Sequence, residues 1–253
     1  MVYKLAKKYQ DEGKKAYLCK KIGRPEQVVS QSFTEKIKTL RLETDYGSDK
    51  LHYLTKNEGC GVSQRQIQKI LDRNQLTDPC EKRRGQRKYV RYCWPISNYM
   101  WHCDWSEINS KNVCSYIDDC SRKIMSVGEF DNVTTKNSLL VLRYGILKNE
   151  VCPVIVLSDK GSVFYANTPY KTGELGTSEF EIELNELGIE LWTSRRNHPQ
   201  TNGKMERWFG TMKTRRKKHP EEKLQTFVKW YNEKRIHHGL GYKTPDEVYY
   251  ERL

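Results

Sequence analysis

The chain has 253 residues, 36% of them apolar and 30% charged, with a net charge of +13. That length carries one large core, or one core and a smaller domain, and its 6 Trp and 16 Tyr exclude a disordered chain. No apolar stretch approaches the roughly 20 residues that span a bilayer, and MVYKLAKKYQDEGKK lacks the apolar region of a signal peptide. The expectation is a soluble protein of the cell interior.

The charge is unevenly placed. Residues 1–98 hold 22 Lys/Arg and 11 Asp/Glu, whereas residues 99–253 hold 23 and 21. An excess confined to the N-terminal part points to a polyanion partner there. A second basic run, Arg195 to Lys218, has nine Lys/Arg and one acid, Glu206. The 8 cysteines form no C-x-x-C pair, and no His pair stands beside them at zinc spacing. They read as reduced, mostly buried thiols.

In chain order, residues 2–12 have helical spacing, with Gly13 closing the helix. Residues 19–33 read as a linker. Thr34 is placed to cap a helix to Thr44, with Ile37, Leu40 and Arg41 on one side. A second helix runs from Ser48 or Asp49 to about Asn57, with Leu51 and Leu54 inward. After the GCG turn at 59–61, Ser63 caps a third, Gln64 to Asn74, with Ile67, Ile70 and Leu71 inward. Three short helices with a glycine turn before the third suggest a helix-turn-helix. Its last helix would turn Gln64, Arg65, Gln68 and Lys69 toward base edges or phosphates. A small bundle with a solvated face has the same pattern. Residues 78–98 have no helical period and read as a basic tether, with Arg83, Arg84, Arg87 and Lys88 set to follow a DNA backbone.

From Tyr99 the pattern alternates. Strands are predicted at 99–108, 113–118, 123–130 and 188–192, with PVIVL (153–157) a strand buried on both faces. Helices are predicted at 136–149, with Leu139, Leu140 and Leu142 inward, and at 178–187, 201–218 and 222–235. This is an α/β domain with a mixed sheet. The expected divisions are a remnant helix and linker (1–33), a helix-turn-helix domain (34–77), the tether (78–98) and a catalytic core with C-terminal helices (99–253).

Three acids fall where such a layout permits chemistry. Asp104 lies in the first strand, Asp159 directly follows PVIVL, and Glu206 lies in the first turns of a helix. Ligands gather at strand ends of open α/β sheets, and carboxylates brought together call for a cation. Asp118 and Asp119, by contrast, read as surface acids.

These segments resemble a known family. WHCDWS around Asp104 and LSDKGSVF around Asp159 are similar to the first two acidic motifs of the integrase core shared by retroviruses and insertion-sequence transposases. HPQTNGKMERWFGTMK (His198 to Lys213) resembles the segment carrying the last acid, here Glu206, and Phe227 to Tyr249 resembles the closing helix and its proline. The resemblance implies a ribonuclease-H-like mixed sheet with flanking helices, preceded by a small all-α helix-turn-helix domain. It implies a DDE transposase that binds two Mg²⁺ or Mn²⁺ ions through Asp104, Asp159 and Glu206, cuts element ends and joins them to target DNA. Its partners would be double-stranded DNA, at element ends and target, and further copies of itself, with no membrane. It would work in the cytoplasm, at the nucleoid. Lys204, Arg207, Lys213 and Arg215 are then candidate phosphate contacts, and Trp208 and Phe209 core residues.

Two features depart from the family pattern. Lys160 stands where Asn is usual, and 46 residues separate Asp159 from Glu206, more than usual by about one hairpin. The surplus is placed at Tyr165 to Ser178. Residues 2–12 resemble only the last helix of a first helix-turn-helix unit. The competing readings are therefore a truncated, catalytically impaired DNA-binding protein and a hybrid-cleaving ribonuclease H. The HPQTNGKMER segment and the N-terminal helices disfavour the latter.

Overall fold

The computed structural model describes residues 2–12, 29–56, 61–77, 93–166, 176–193 and 203–253. The chain divides into two compact units, Met1–Thr77 and Asp78–Leu253.

The first unit is helical: α1 (Val2–Glu12), α2 (Gln31–Thr44), α3 (Ser48–Thr55) and α4 (Gln64–Arg73). Helix α2 starts earlier than Thr34 predicts, because Ser30 caps it, its Oγ accepting from Phe33 N at 3.3 Å. Thr34 instead donates its hydroxyl to Ser30 O. Phe33, Ile37 and Arg41 are the buried residues of α2. The Arg41 guanidinium donates to the carbonyls of Leu76, Asp45 and Tyr46 at 3.0, 2.8 and 3.1 Å. This ties the end of α2 to the segment after α4 and satisfies a buried charge. Leu51 of α3 is buried, but Leu54 faces outward, contrary to expectation. Helix α4 begins on the predicted Ser63, which with Gln66 forms a capping box. Ile67, Ile70 and Leu71 are buried as their spacing requires.

The second unit is built on a five-stranded sheet in the order β3-β2-β1-β4-β5. Strands β1 (Met100–Ile108), β2 (Lys111–Asp118) and β3 (Ile124–Phe130) form an antiparallel meander. The β1–β2 turn is the two-residue kind that follows strand twist, with Asn109 and Ser110 at φ 51 and 62. Strands β4 (Ile155–Ser158) and β5 (Glu190–Thr193) run parallel to β1. Every residue of β4 is buried, as its continuous apolar run predicts.

Alternation along β1 divides the core. Trp101 and Cys103 join Leu139, Leu142, Phe180 and Leu184 from α5 (Thr135–Asn149) and α6 (Glu179–Glu186). Leu140, expected inside, is 58% exposed; Val141 is buried in its place. Helix α5 lies close to β3 because residue 145 is glycine, where a Cβ would stand 2.6 Å from Ser126 Oγ. On the opposite face, Ile108, Val113 and Ile117 meet Met205, Trp208, Phe209 and Met212 of α7 (Gly203–Lys218). Phe227, Val228 and Tyr231 of α8 (Leu224–Glu233) complete that layer. Asn232 of α8 clamps the sheet edge, exchanging hydrogen bonds with both Ile124 N and Ile124 O. Helix α9 (Pro245–Glu251) starts on a Thr244–Glu247 capping box. Cys103, Cys114 and Cys120 are buried free thiols, as expected, whereas Cys93 and Cys152 are exposed.

Candidate active site

Strand pairing brings two of the three acids together. His102 on β1 is the register partner of Leu157 on β4, and continuing that register by two residues, one past the end of β4, sets Asp104 opposite Asp159. The two carboxylates leave neighbouring parallel strands at one level, where strands lie about 4.8 Å apart. Asp159 accepts a hydrogen bond from Gly161 N at 2.9 Å. A Cβ at position 161 would come within 2.8 Å of the same Oδ1, so only glycine leaves that carboxylate in place. Asp104 accepts from Trp105 N at 2.8 Å.

Glu206 arrives from the far side of the layer. The buried face of α7 repeats at Met205, Trp208, Phe209 and Met212, which leaves Glu206 exposed in the first turn. Its charge reaches the sheet. Burial first, and then the negative charges of Asp159 and Glu206, raise the Asp104 pKa to about 6 against the pull of the Trp105 hydrogen bond. Among the described residues, no three His, Cys, Asp or Glu side chains gather tightly enough to hold one ion. The three acids therefore form an open set, electrostatically coupled but not closed into a cage. The set fits a hard divalent cation chemically, since its donors are all oxygen and the repulsion at Asp104 is what such a cation relieves.

Of the basic candidates, Arg207 and Lys213 on α7 are exposed. Arg215 is packed instead: it pairs with Glu222 at 2.6 Å and lies 3.8 Å over the Trp230 ring. Lys204 is also committed, with its Nζ 2.5 Å from Asp119 Oδ1 and its side chain 14% exposed. In the first unit, Gln64, Arg65 and Lys69 are exposed, whereas Gln68 bonds Asp72 at 2.9 Å. Arg83, Arg84, Arg87 and Lys88, with Pro199 and Asn202, lie outside the described residues, as does most of the surplus segment. Lys160 stands over the Tyr165 ring at 5.2 Å.

Asp118 and Asp119 are not surface acids but buried ones. Asp118 holds the turn after β2, accepting from Asn98 N, Ser121 N and Ser121 Oγ. Burial alone would raise the Asp119 pKa, but His102 and Lys204 outweigh it and hold it at about 2. The sequence reading missed this because the cation that balances Asp119 lies 85 positions away.

Residues 187–245 match the family model of the integrase core domain. This stretch takes in Glu206 and α7, while Asp104 and Asp159 lie before it. The fold extends the likeness across the sheet. A chain of the simian T-cell lymphotropic virus intasome, solved in complex with PP2A regulatory subunit B56 gamma, aligns with a TM-score of 0.53. It shares 16% identity over 84% of this chain and 74% of that one. The catalytic core of BIV integrase aligns over 61% of this chain and 95% of its own, at 22% identity and a TM-score of 0.46. The HTLV-2 integrase catalytic core in complex with magnesium does so over 61% and 97%, at 17% identity and 0.46. No curated protein sequence matches the chain. The mixed sheet with flanking helices is the ribonuclease-H-like fold of integrase cores, with a helical unit before it. Among the described residues, no helix is long and apolar enough to cross a membrane.

Proposed function

We propose that this protein is a DDE transposase, a polynucleotidyl transferase that cleaves DNA at mobile-element ends and joins the freed 3′ ends to target DNA. The observation that best supports this reading is the β1–β4 register, which sets Asp104 beside Asp159, with the negative charge of Glu206 felt at Asp104.

Asp104 and Asp159 would hold the ions from the sheet and Glu206 would close the set from α7. Two Mg²⁺ or Mn²⁺ ions, when bound, would supply activation of water or a 3′-hydroxyl and stabilisation of the leaving oxygen. The chain itself contributes position and charge, which dominate phosphoryl transfer. Gly161 donates its N–H to the Asp159 carboxylate, and the packed face of α7 leaves Glu206 exposed in its first turn. Arg207 and Lys213 lie on the same helix as Glu206 and are suited to phosphates. In the N-terminal unit, α4 would read DNA through Gln64, Arg65 and Lys69 in a helix-turn-helix. Residues 34–77 would form that domain, 78–98 a basic tether to the core, and 99–253 the core. Double-stranded DNA is then the partner, bound by more than one copy of the chain at the nucleoid.

The test is a joining assay with 3′-hydroxyl duplexes taken from the DNA flanking the gene, a plasmid target and Mg²⁺ or Mn²⁺. Joined product that disappears without the metal, and in Asp159→Asn, supports the reading. Selective DNA binding with no joining under any metal would favour the DNA-binding alternative instead.

A further inference from the structure

Beside the three acids lies a buried polar network that the chemistry above does not use. Asp119, in the turn after β2, is 1% exposed. Its Oδ1 lies 2.5 Å from His102 Nε2 and 2.5 Å from Lys204 Nζ. Lys204 also donates to Asp119 O at 2.7 Å, and Asp119 Oδ2 accepts from Trp94 N at 2.7 Å. His102 is 3% exposed, and its Nδ1 has no hydrogen-bond partner among the described residues. Each outer member stands two positions from a proposed metal ligand. His102 precedes Asp104 on the same face of β1, and Lys204 precedes Glu206 in the first turn of α7.

Stability alone does not explain this arrangement. Charges buried this deeply usually stabilise no better than apolar groups of similar volume. A lysine in the first turn also opposes the helix dipole. What the network adds is direction. The apolar contacts of α7 lie on its buried face, through Met205, Trp208, Phe209 and Met212, and none of them is directional. An ammonium held by both the carboxylate and the carbonyl of one residue is.

We propose that Asp119, held by His102 and gripping Lys204, is the positioning device that sets Glu206 relative to Asp104 and Asp159. This rests on the metal-site reading above. Lys204 thereby acts through Glu206 and not as a phosphate contact.

The test uses the full chain and two variants, Lys204→Met and the pair Asp119→Asn/Lys204→Met. The pair leaves no unbalanced buried charge, so it keeps the test open if the single variant misfolds. Mn²⁺ affinity is measured by calorimetry well below each melting temperature, and joining is resolved into kcat and KM for DNA. The expected result is a loss of about 10- to 100-fold in Mn²⁺ affinity, with kcat reduced and KM for DNA unchanged. Unchanged Mn²⁺ affinity overturns the proposal, and a raised KM in that case makes Lys204 a DNA contact. If the wild-type chain itself binds no Mn²⁺, the metal-site reading fails and the positioning role fails with it.

Discussion

Asp104 on β1 lies level with Asp159, the residue just past β4, since the β1–β4 register pairs residues 55 positions apart through His102 and Leu157. Nothing in the spacing of the two acids along the chain announces this. It follows from β4 lying between β1 and β5 and pairing in parallel with both. Once that pairing is made, the two acids fall at neighbouring positions on the two central strands.

The arrangement has a stability consequence. Burial first, and then the neighbouring carboxylates, push the Asp104 carboxyl up to about 6, above its ordinary value of 3.8. A raised folded pKa means that the folded state holds the proton more tightly. The stability gained from the protonated acid is therefore full below about pH 4 and lost as pH rises through about 6. Asp104→Asn should stabilise the metal-free protein at pH 7.5 by roughly 1–2 kcal/mol, discounted for partial solvent exposure, and give no advantage below pH 4. Urea denaturation at the two pH values measures it. Added Mn²⁺ should stabilise the wild type and not the variant.

Glu206→Gln should abolish joining while leaving DNA affinity within about twofold of wild type. The amide keeps the size and loses the anionic ligand, and the basic surfaces remain. Gel shift and joining are read on one preparation. Joining retained at wild-type rate would remove Glu206 from the mechanism.

Much of this was legible in the sequence. The apolar run before Asp159 reads as a doubly buried strand, and β4 is one. The spacing of Ile67, Ile70 and Leu71 gives the inner face of α4, and Ser63 its start. Errors fell where several local patterns compete. Ser30 outcompetes Thr34 as a cap because the helix extends one turn further back. Leu54 and Leu140 are apolar yet lie on outer faces, which a count of leucines does not separate from inner ones. The exposed basic faces of α4 and α7 were half legible: Arg65, Arg207 and Lys213 are exposed, whereas Lys204 and Arg215 are drawn into ion pairs. Their partners, Asp119 and Glu222, are fixed by the fold and by the turn after α7, not by helical spacing.

Arg215 and Lys213 should accordingly behave differently despite their proximity. Arg215→Ala removes both a half-buried ion pair and the guanidinium over Trp230, and should cost about 1–3 kcal/mol of stability. Lys213→Ala should leave the melting temperature unchanged and reduce the salt dependence of DNA binding by about one counterion. Thermal denaturation and a salt titration of binding distinguish them. A melting temperature unchanged in Arg215→Ala would contradict the packing assigned to it.

In the N-terminal unit, Arg65 is the exposed α4 residue best suited to base edges, and Arg84 belongs to the basic stretch after it. Arg65→Ala in the full chain should flatten preference for element-end DNA, by roughly 1–3 kcal/mol if the contact is bidentate. Arg84→Ala should weaken terminal and random DNA alike. Competition binding at two salt concentrations reads both. Loss of preference in Arg84→Ala with none in Arg65→Ala would reverse the assignment.

The central claim is that Asp104, Asp159 and Glu206 make one metal site, and crystals grown with Mn²⁺ test it most directly through the anomalous signal of the ion. The account predicts one peak between Asp104 and Asp159 and, with DNA bound, a second beside Glu206 about 3.5–4 Å from the first. Peaks absent from beside these acids at saturating Mn²⁺, with joining activity retained, would contradict it.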